Sequence, residues 1–427
     1  MNKNNESKSF GQFILLWLTQ SLSALGSAMT SYALVLWLYG ESGSALYTAM
    51  LTITSYAPYV LLSIFAGALC DRFDKKNTML ICDSISALCT ITVILLFACN
   101  ALQVWHLYIV NAIGGLMNTV QQPASEIAST ALVPEKHYQK IGGLRYFSSS
   151  LSSILTPVIA TAVYSFSGLE AVLTVDLLTF AVAFITLMFF IRIPKQSAES
   201  AELSLIKSAK SGLDFLKSHK QVLMLIMYLS AINLVASMYE AVLPAMVLSR
   251  KGGGTQALGA VSTCVGVATL IGSIIATLMP KPKSRRRVIC LSLLFSMSTE
   301  NFFLAFGQTP LLWCTGAVLG WILIPMMSAN LDVIMRTKVP CHMQGRVYSA
   351  RNTLQFFTIP LGNFLGGLAV DTFAEPLMAA MPHNSLMCNI FGSGKGSGAA
   401  LIFFIIGIMG VAVCLIFNSN KHIKKIE

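Results

Sequence analysis

Charge is scarce in this chain. Only 11% of its 427 residues are charged, 55% are hydrophobic, and the mean hydropathy is +0.69. A soluble domain carries roughly 25% charged residues, because its surface faces water. That class is therefore excluded, and lipid is the principal solvent. The ten cysteines contain no C-x-x-C pair. Cys70, Cys82, Cys89, Cys264, Cys290 and Cys414 lie in or at the ends of apolar runs, which fits small packing residues better than a disulfide framework. The six histidines show no H-E-x-x-H or other ligand spacing, so no metal and no cofactor is expected. The G-S-G-K-G stretch at Gly392–Gly396 is not a phosphate loop, because Asn389 stands where the first glycine would be required. Paired catalytic aspartates and a Ser/His pair are also missing, and no histidine lies deep within an apolar run. An enzyme is not expected. A cleavable signal is not evident, since the run Phe10–Leu38 is long and lacks a small-residue cleavage site.

What is present is a succession of long apolar runs. A helix needs roughly 20 apolar residues to cross the hydrocarbon core. Spans are predicted near 10–38, 44–69, 78–98, 103–124, 142–166 and 169–190. After a polar interval they resume near 221–248, 256–279, 288–307, 310–335, 346–371 and 398–418. The net charge of +11 is distributed by these spans. Of the 29 Lys and Arg residues, 26 fall on the side of both termini, and only Arg250, Lys251 and Lys395 lie opposite. Basic residues gather on the cytoplasmic side of inner membranes. Both termini and the centre of the chain are therefore expected in the cytoplasm of a cell with this protein in its plasma membrane. The charge serves orientation in the lipid bilayer, and no nucleic-acid partner is expected. The fold predicted is all-α, with twelve transmembrane helices in two pseudo-symmetric six-helix halves. Residues 1–190 form the first half and 221–427 the second. The linker 191–220 repeats Ile206, Ala209, Leu213 and Leu216 at helical spacing, as an interfacial helix or a solvated connection would.

The halves echo each other. P-A-S-E-I-A-S-T-A-L-V-P ends at Pro134 and S-A-N-L-D-V-I-M-R-T-K-V-P at Pro340, with Glu126 and Asp332 eight residues before the respective prolines. Gln20, Ser23, Ser27 and Thr30 of span one match Ser230, Asn233, Ser237 and Glu240 of span seven at an offset of 210. Each quartet has the spacing i, i+3, i+7, i+10, which is one helix face. A polar face in a membrane avoids lipid and meets either protein or a water-filled cavity. Gln20, Ser23, Ser27, Thr30, Asn233 and Ser237 are taken as candidate substrate-cavity residues; helix packing, which small hydroxyl residues also serve, is the competing reading.

Between spans two and three the chain reads G-A-L-C-D-R-F-D-K-K, Gly67 to Lys76. This resembles the G-x-x-x-D-R-x-x-[RK]-[RK] loop of the major facilitator superfamily. The first span W-L-T-Q-S-L-S-A-L-G-S-A-M-T-S-Y, the third-span start M-L-I-C-D-S, the T-V-D-L-L-T-F of span six and the L-V-P-E loop narrow the resemblance to its macrolide-efflux branch. The similarity runs from about residue 10 to 418 and is tightest in the first half. It implies a drug:proton antiporter working by alternating access, with helices one, four, seven and ten around the cavity. It also implies a cytoplasmic gate of Gly67, Asp71, Arg72, Lys75, Lys76, Glu126 and Asp332, in which the carboxylates pair with Arg72 and with Arg285–Arg287. Two departures stand out: span four carries no arginine between Trp105 and Gln122, and the G-P-x-x-G-G stretch of span five is reduced to T-P-V-I-A at Pro157.

Six carboxylates fall in or beside spans: Asp83, Glu126, Asp176, Glu240, Glu300 and Asp332. Burying one costs several kcal/mol unless it is paired, hydrated or protonated. Asp83, Asp176 and Glu300 read first as structural, hydrogen-bonded to neighbouring helices. Glu240, four residues before Pro244, is the proton-coupling candidate. The expected substrate is an amphipathic, macrolide-like small molecule exported by a monomer in exchange for protons. An endogenous metabolite such as a siderophore, or a non-transporting receptor, is the alternative.

Overall fold

The computed structural model describes residues 3–133, 138–193, 205–280, 282–340, 344–382 and 384–424. Among them every regular element is a helix, as lipid requires of a backbone that cannot bond to water. In chain order these are α1 (Lys3–Ser42), α2 (Ala45–Arg72), α3 (Lys75–Ala98), α4 (Val104–Ala131) and α5 (Tyr138–Ile185), which runs into a π turn at Thr186–Phe190. Then come α6 (Leu205–Ser218), α7 (Lys220–Ser249), α8 (Thr255–Leu278), α9 (Arg285–Phe306), α10 (Pro310–Trp321) and α11 (Ile324–Lys338). The last group is α12 (Gln344–Phe356), α13 (Thr358–Leu368), a π segment at Ala369–Ala374, α14 (Glu375–Ala379), α15 (Leu386–Phe391), α16 (Ser397–Ser419) and α17 (Lys421–Lys424).

Ten helices among the described residues are long and apolar enough to cross a membrane, against the twelve spans predicted. The difference falls at two places. Spans predicted at 142–166 and 169–190 appear as one run, Phe147–Phe190, 44 residues long. It is interrupted at Gly168, whose φ of +76° only glycine adopts without strain. At the predicted fourth span, α4 is 28 residues long, but Asn111, Asn118, Gln121, Gln122 and Glu126 dilute its apolarity. Length and apolarity alone therefore do not reach twelve.

The chain divides into two compact units. The first comprises Met1–Trp37 and Thr54–Leu205, the second Leu38–Ile53 and Ile206–Glu427. In the first unit the start of α1, the start of α3, the end of α4 and the end of the α5 run share one buried cluster. Phe13, Leu16, Met79, Ala128, Leu187 and Ile191 belong to it. Helix starts and helix ends meeting at one level means that successive helices run in opposite directions. Lys76 secures this end by donating to the carbonyls of Met188 and Ile191, both at 2.8 Å. Those carbonyls end a helix, where orphan acceptors and the negative pole favour a cation.

In the second unit α7 is the most buried span, packed against α13 and α16, while α9 packs against α16, α10 and α11. The predicted span at 346–371 is broken at Phe357, between α12 and α13 and three residues ahead of Pro360, which cannot donate a backbone hydrogen bond. Carbonyls near the break find side-chain donors on α7: Ser230 Oγ bonds Leu354 O at 2.9 Å and Asn233 Nδ2 bonds Gln355 O at 3.2 Å.

Candidate functional site

The polar face of α1 meets carboxylates of its own unit. Gln20 Nε2 donates to Asp83 Oδ2 of α3 at 3.3 Å, and Gln121 Nε2 of α4 donates to Asp83 Oδ1 at 2.5 Å. Two turns along, Ser27 Oγ and Thr30 Oγ1 donate to the two oxygens of Asp176 at 3.0 and 3.1 Å, joined by Thr90 Oγ1 of α3 at 3.3 Å. The helices can approach because residue 26 is glycine: a Cβ there would lie 2.3 Å from Thr179 Oγ1. Ser23 is buried. Gln20, Ser27 and Thr30 thus have carboxylate partners within their own unit in this structure. A buried carboxylate needs donors, and three of the four spend theirs on Asp83 or Asp176. Both aspartates are buried and hold neighbouring helices together, as their positions in spans three and six led one to expect.

On α7 the matching face divides. Asn233 is committed to Gln355, and Ser237 is buried against Gly362, where a Cβ would approach the Ser237 Cβ to 2.9 Å. Both make contacts with the segment around Pro360. Glu240 is different. Its neighbours Met238, Tyr239, Ala241 and Val242 are buried, whereas Glu240 is exposed and accepts no hydrogen bond among the described residues. Pro244 stands one turn on and leaves the Glu240 carbonyl without its helical donor.

Glu300 of α9 is 5% exposed and accepts from Trp321 Nε1 of α10 at 2.8 Å. Gly320 makes the room, since a Cβ there would lie 2.6 Å from Glu300 Oε2. The second unit thus mirrors the first in one respect. A carboxylate of its third span is buried against a side-chain donor from its fourth, as Asp83 is against Gln121.

A further pair of carboxylates went unrecognised in the sequence. Asp371 accepts from Ser44 Oγ at 2.5 Å, Ala45 N at 3.1 Å and Leu46 N at 2.9 Å, while Ser44 Oγ accepts from Tyr47 N at 3.1 Å. The leading amides of α2 are thereby satisfied. Glu375 Oε1 does the same for α16, accepting from Gly396 N at 3.0 Å and Ala399 N at 3.1 Å. Tyr39 Oη bonds Ser249 Oγ at 2.6 Å and Ala245 O at 3.0 Å. Arg250, one of three cations opposite the basic side, donates to Gly307 O at 2.6 Å and to Phe391 O. The contacts of Asp371 with residues 44–46 are more than 300 positions apart in the chain, so no local pattern announces them.

In the predicted gate, the side chains of Gly67, Asp71 and Arg72 lie outside the described residues, though their backbone completes α2. Asp74 caps α3 by accepting from Asn77 N at 2.9 Å, and Lys75 Nζ donates to Phe73 O at 3.2 Å. Lys76 is the helix anchor already described. Glu126 is exposed on α4. Asp332 is half-buried on α11 and forms no ion pair among the described residues. Arg285 and Arg286 reach the side-chain oxygens of Asn330 and Asn418 instead, at 3.3 and 3.0 Å.

Comparison with known proteins adds the following. The sequence pattern described as the Major Facilitator Superfamily matches residues 16–363. Macrolide efflux protein A of Streptococcus pyogenes is 25% identical over 376 residues, covering 87% of this chain and 92% of that protein. Multidrug efflux pump Tap of Mycolicibacterium fortuitum is 23% identical over 376 residues, covering 84% and 90%. The solved structure of the nucleoside transporter NupG matches with a TM-score of 0.68 at 14% identity, over 99% of this chain and 100% of that one. At such identity the likeness concerns the fold.

Proposed function

We infer a transporter's function from one premise: this chain belongs to the Major Facilitator Superfamily. It is a multi-pass membrane protein that moves a small molecule, rather than an enzyme. The finer reading is that the molecule is an amphipathic, macrolide-like drug, exported from the cell in exchange for protons by alternating access. The observation that carries this reading is the alignment with a macrolide efflux protein across nine-tenths of that protein's length. Twenty-six of 29 cations on one side support an orientation with both termini in the cytoplasm of a plasma-membrane protein. The transporting unit is a monomer.

On this reading Glu240 exchanges the proton. It is the carboxylate of α7, it is exposed, and it accepts no hydrogen bond among the described residues, which leaves it available to a proton or a cationic substrate. Protonation from outside removes its charge, and return of the charge inside favours rebinding of drug. The cytoplasmic gate consists of Gly67, Asp71 and Arg72 with Glu126, seated on the Lys75–Lys76 anchor. Asp332 is left out, because no cation reaches it among the described residues.

The test is accumulation of labelled erythromycin in efflux-deficient bacteria expressing this chain, with and without a protonophore. Lowered accumulation that the protonophore restores supports proton-driven drug export. Unchanged accumulation, with the protein present in the membrane, removes macrolides and directs the search to endogenous exported metabolites.

A further inference from the structure

The second unit holds a cation inside a span that the transport step described so far does not use. Arg351 of α12 lies just within the span Ala350–Ala379, half-buried, with its Nε enclosed and without a hydrogen-bond partner. Among the described residues its guanidinium meets the Tyr348 ring, one turn back, at 5.7 Å, and no carboxylate. One turn on stands Gln355, 9% exposed, whose Oε1 is buried and also unpartnered. Positions i and i+4 are neighbours on a helix, about 5–6 Å apart at Cβ, so Arg351 and Gln355 share one stripe. Neither bonds the other. Buried polar groups are nearly always paired, and an ionisable side chain within a membrane marks a functional site more often than a structural one.

The stripe is turned towards α7. Thr358 lies seven residues beyond Arg351, on the same face, and its Oγ1 donates to Ser230 O of α7 at 3.0 Å. Between them, Leu354 O and Gln355 O accept from the Ser230 and Asn233 side chains. The helices packed most closely on α12 are α7 and α13. Neither α12 nor α13 contains a carboxylate, and α7 carries one, Glu240. Glu240 stands ten residues beyond Ser230, about 15 Å along the helix, too far to neutralise Arg351. The guanidinium and the amide oxygen thus lack partners on their own helix and on the two that enclose it. A span interrupted near its middle and lined by polar groups is also where many transporters hold their cargo.

We propose that Arg351 and Gln355 form a recognition subsite for a hydroxy-carbonyl group of the transported molecule. The guanidinium donates to the carbonyl oxygen, and Gln355 Oε1 accepts from the neighbouring hydroxyl. One side chain supplies only donors and the other the open acceptor, so a group with both an acceptor and an O–H satisfies them together. Tyr348 is a positioning residue, whose ring steadies the guanidinium by a cation–π contact. A macrolactone presents carbonyl and hydroxyl groups side by side, and a hydroxamate does so too. The bias of basic residues puts this end of the span towards the cytoplasm, where an exported molecule enters. The inference rests on the export reading given above and names the polar group by which the cargo is held, apart from the proton step at Glu240.

The experiment measures binding to the purified full-length protein by calorimetry in detergent, with no pH gradient, using erythromycin and the hydroxamate desferrioxamine as probes. The variants are Arg351→Gln, Arg351→Lys and Gln355→Leu. Arg351→Gln is expected to weaken erythromycin binding about tenfold or more, and Gln355→Leu about fivefold. Arg351→Lys keeps the charge but loses the planar fork, so its loss is smaller. A purely structural role predicts a different result, because removing an unpaired buried polar group raises the melting temperature and leaves affinity alone. Wild-type affinity in both Arg351→Gln and Gln355→Leu therefore overturns the subsite and leaves the macrolide reading standing. Arg351→Lys retains the cation and most of the side-chain volume, so it reads the site even where Arg351→Gln fails to fold. Desferrioxamine bound through Arg351, with no binding of erythromycin, refutes the macrolide reading and supports the subsite. A wild-type protein that binds neither probe overturns the proposal.

Discussion

Replacement of Asp371 by alanine should weaken the second unit by an amount that can be worked out from its contacts. The carboxylate accepts from Ala45 N and Leu46 N at the start of α2 and from the Ser44 hydroxyl, which itself holds Tyr47 N. Loss of a helix cap costs about 1 kcal/mol. Here two backbone amides lose their acceptor together, and the lost charge sat at the positive pole of the helix, worth about 0.3–1 kcal/mol more. Water reaches this half-buried group and recovers part of the loss. The expected cost for Asp371→Ala is therefore about 2–3 kcal/mol, and for Asp371→Asn, which keeps an acceptor oxygen but no charge, about 1 kcal/mol. Thermal unfolding of purified protein in detergent, followed by tryptophan fluorescence, reads the order wild type, Asn, Ala. Glu170→Ala, at an exposed carboxylate, is the control and should stay within about 0.5 kcal/mol of wild type. An Ala variant that melts with the wild type would refute the argument, since it would mean that the amides of α2 are equally well served by water.

Four further outcomes follow from other contacts. Asp176→Ala strands three hydroxyls from α1 and α3 and should cost about 2–3 kcal/mol, with Asp176→Asn recovering roughly half, as read by the same melting experiment. Gly320→Ala drives a methyl group to within 2.6 Å of Glu300 Oε2, so a loss of about 1–3 kcal/mol is expected together with a shift in the Trp321 emission spectrum. Lys76→Met removes both donors to the Met188 and Ile191 carbonyls and should lower stability by about 1–2 kcal/mol, with Lys76→Arg intermediate. On the antiport mechanism proposed above, export by the wild type should rise as the outside is acidified relative to the inside, because the exchanged proton would enter from outside. Glu240→Gln should show a flat profile at a low rate in inverted vesicles, and an unaltered pH dependence would remove Glu240 from the coupling step.

The membrane class, the long helices and the strong bias of basic residues were legible because lipid penalises polar atoms so heavily that composition and period carry the message. The polar faces of spans one and seven were legible for the same reason. Their use was not. A face of Gln20, Ser23, Ser27 and Thr30 looks alike whether water or a neighbouring carboxylate lies opposite, and Asp176 is nearly 150 residues away in the chain. Asp83, Asp176 and Glu300 could be read as hydrogen-bonded to neighbours, but their donors could not be named. Asp371 and Glu375 were overlooked for a related reason: they fell at the end of a predicted span and in a predicted loop, where a carboxylate excites no suspicion.

The sequence by itself determined that this chain crosses a membrane repeatedly, that its halves repeat, and which helix faces are polar. Each of these depends only on local spacing and on the free energy of moving a side chain from water to lipid. The tertiary structure alone decided the partners. It set Gln20 and Gln121 on Asp83, three hydroxyls on Asp176, Trp321 on Glu300 and the amides of α2 on Asp371, and among the described residues it left Glu240 without a donor. A hydrogen bond forms only within about 3 Å and along a narrow range of angles. Which groups satisfy that condition depends on the depth and rotation of whole helices relative to one another, and helix packing sets these, whereas no local window of residues contains them.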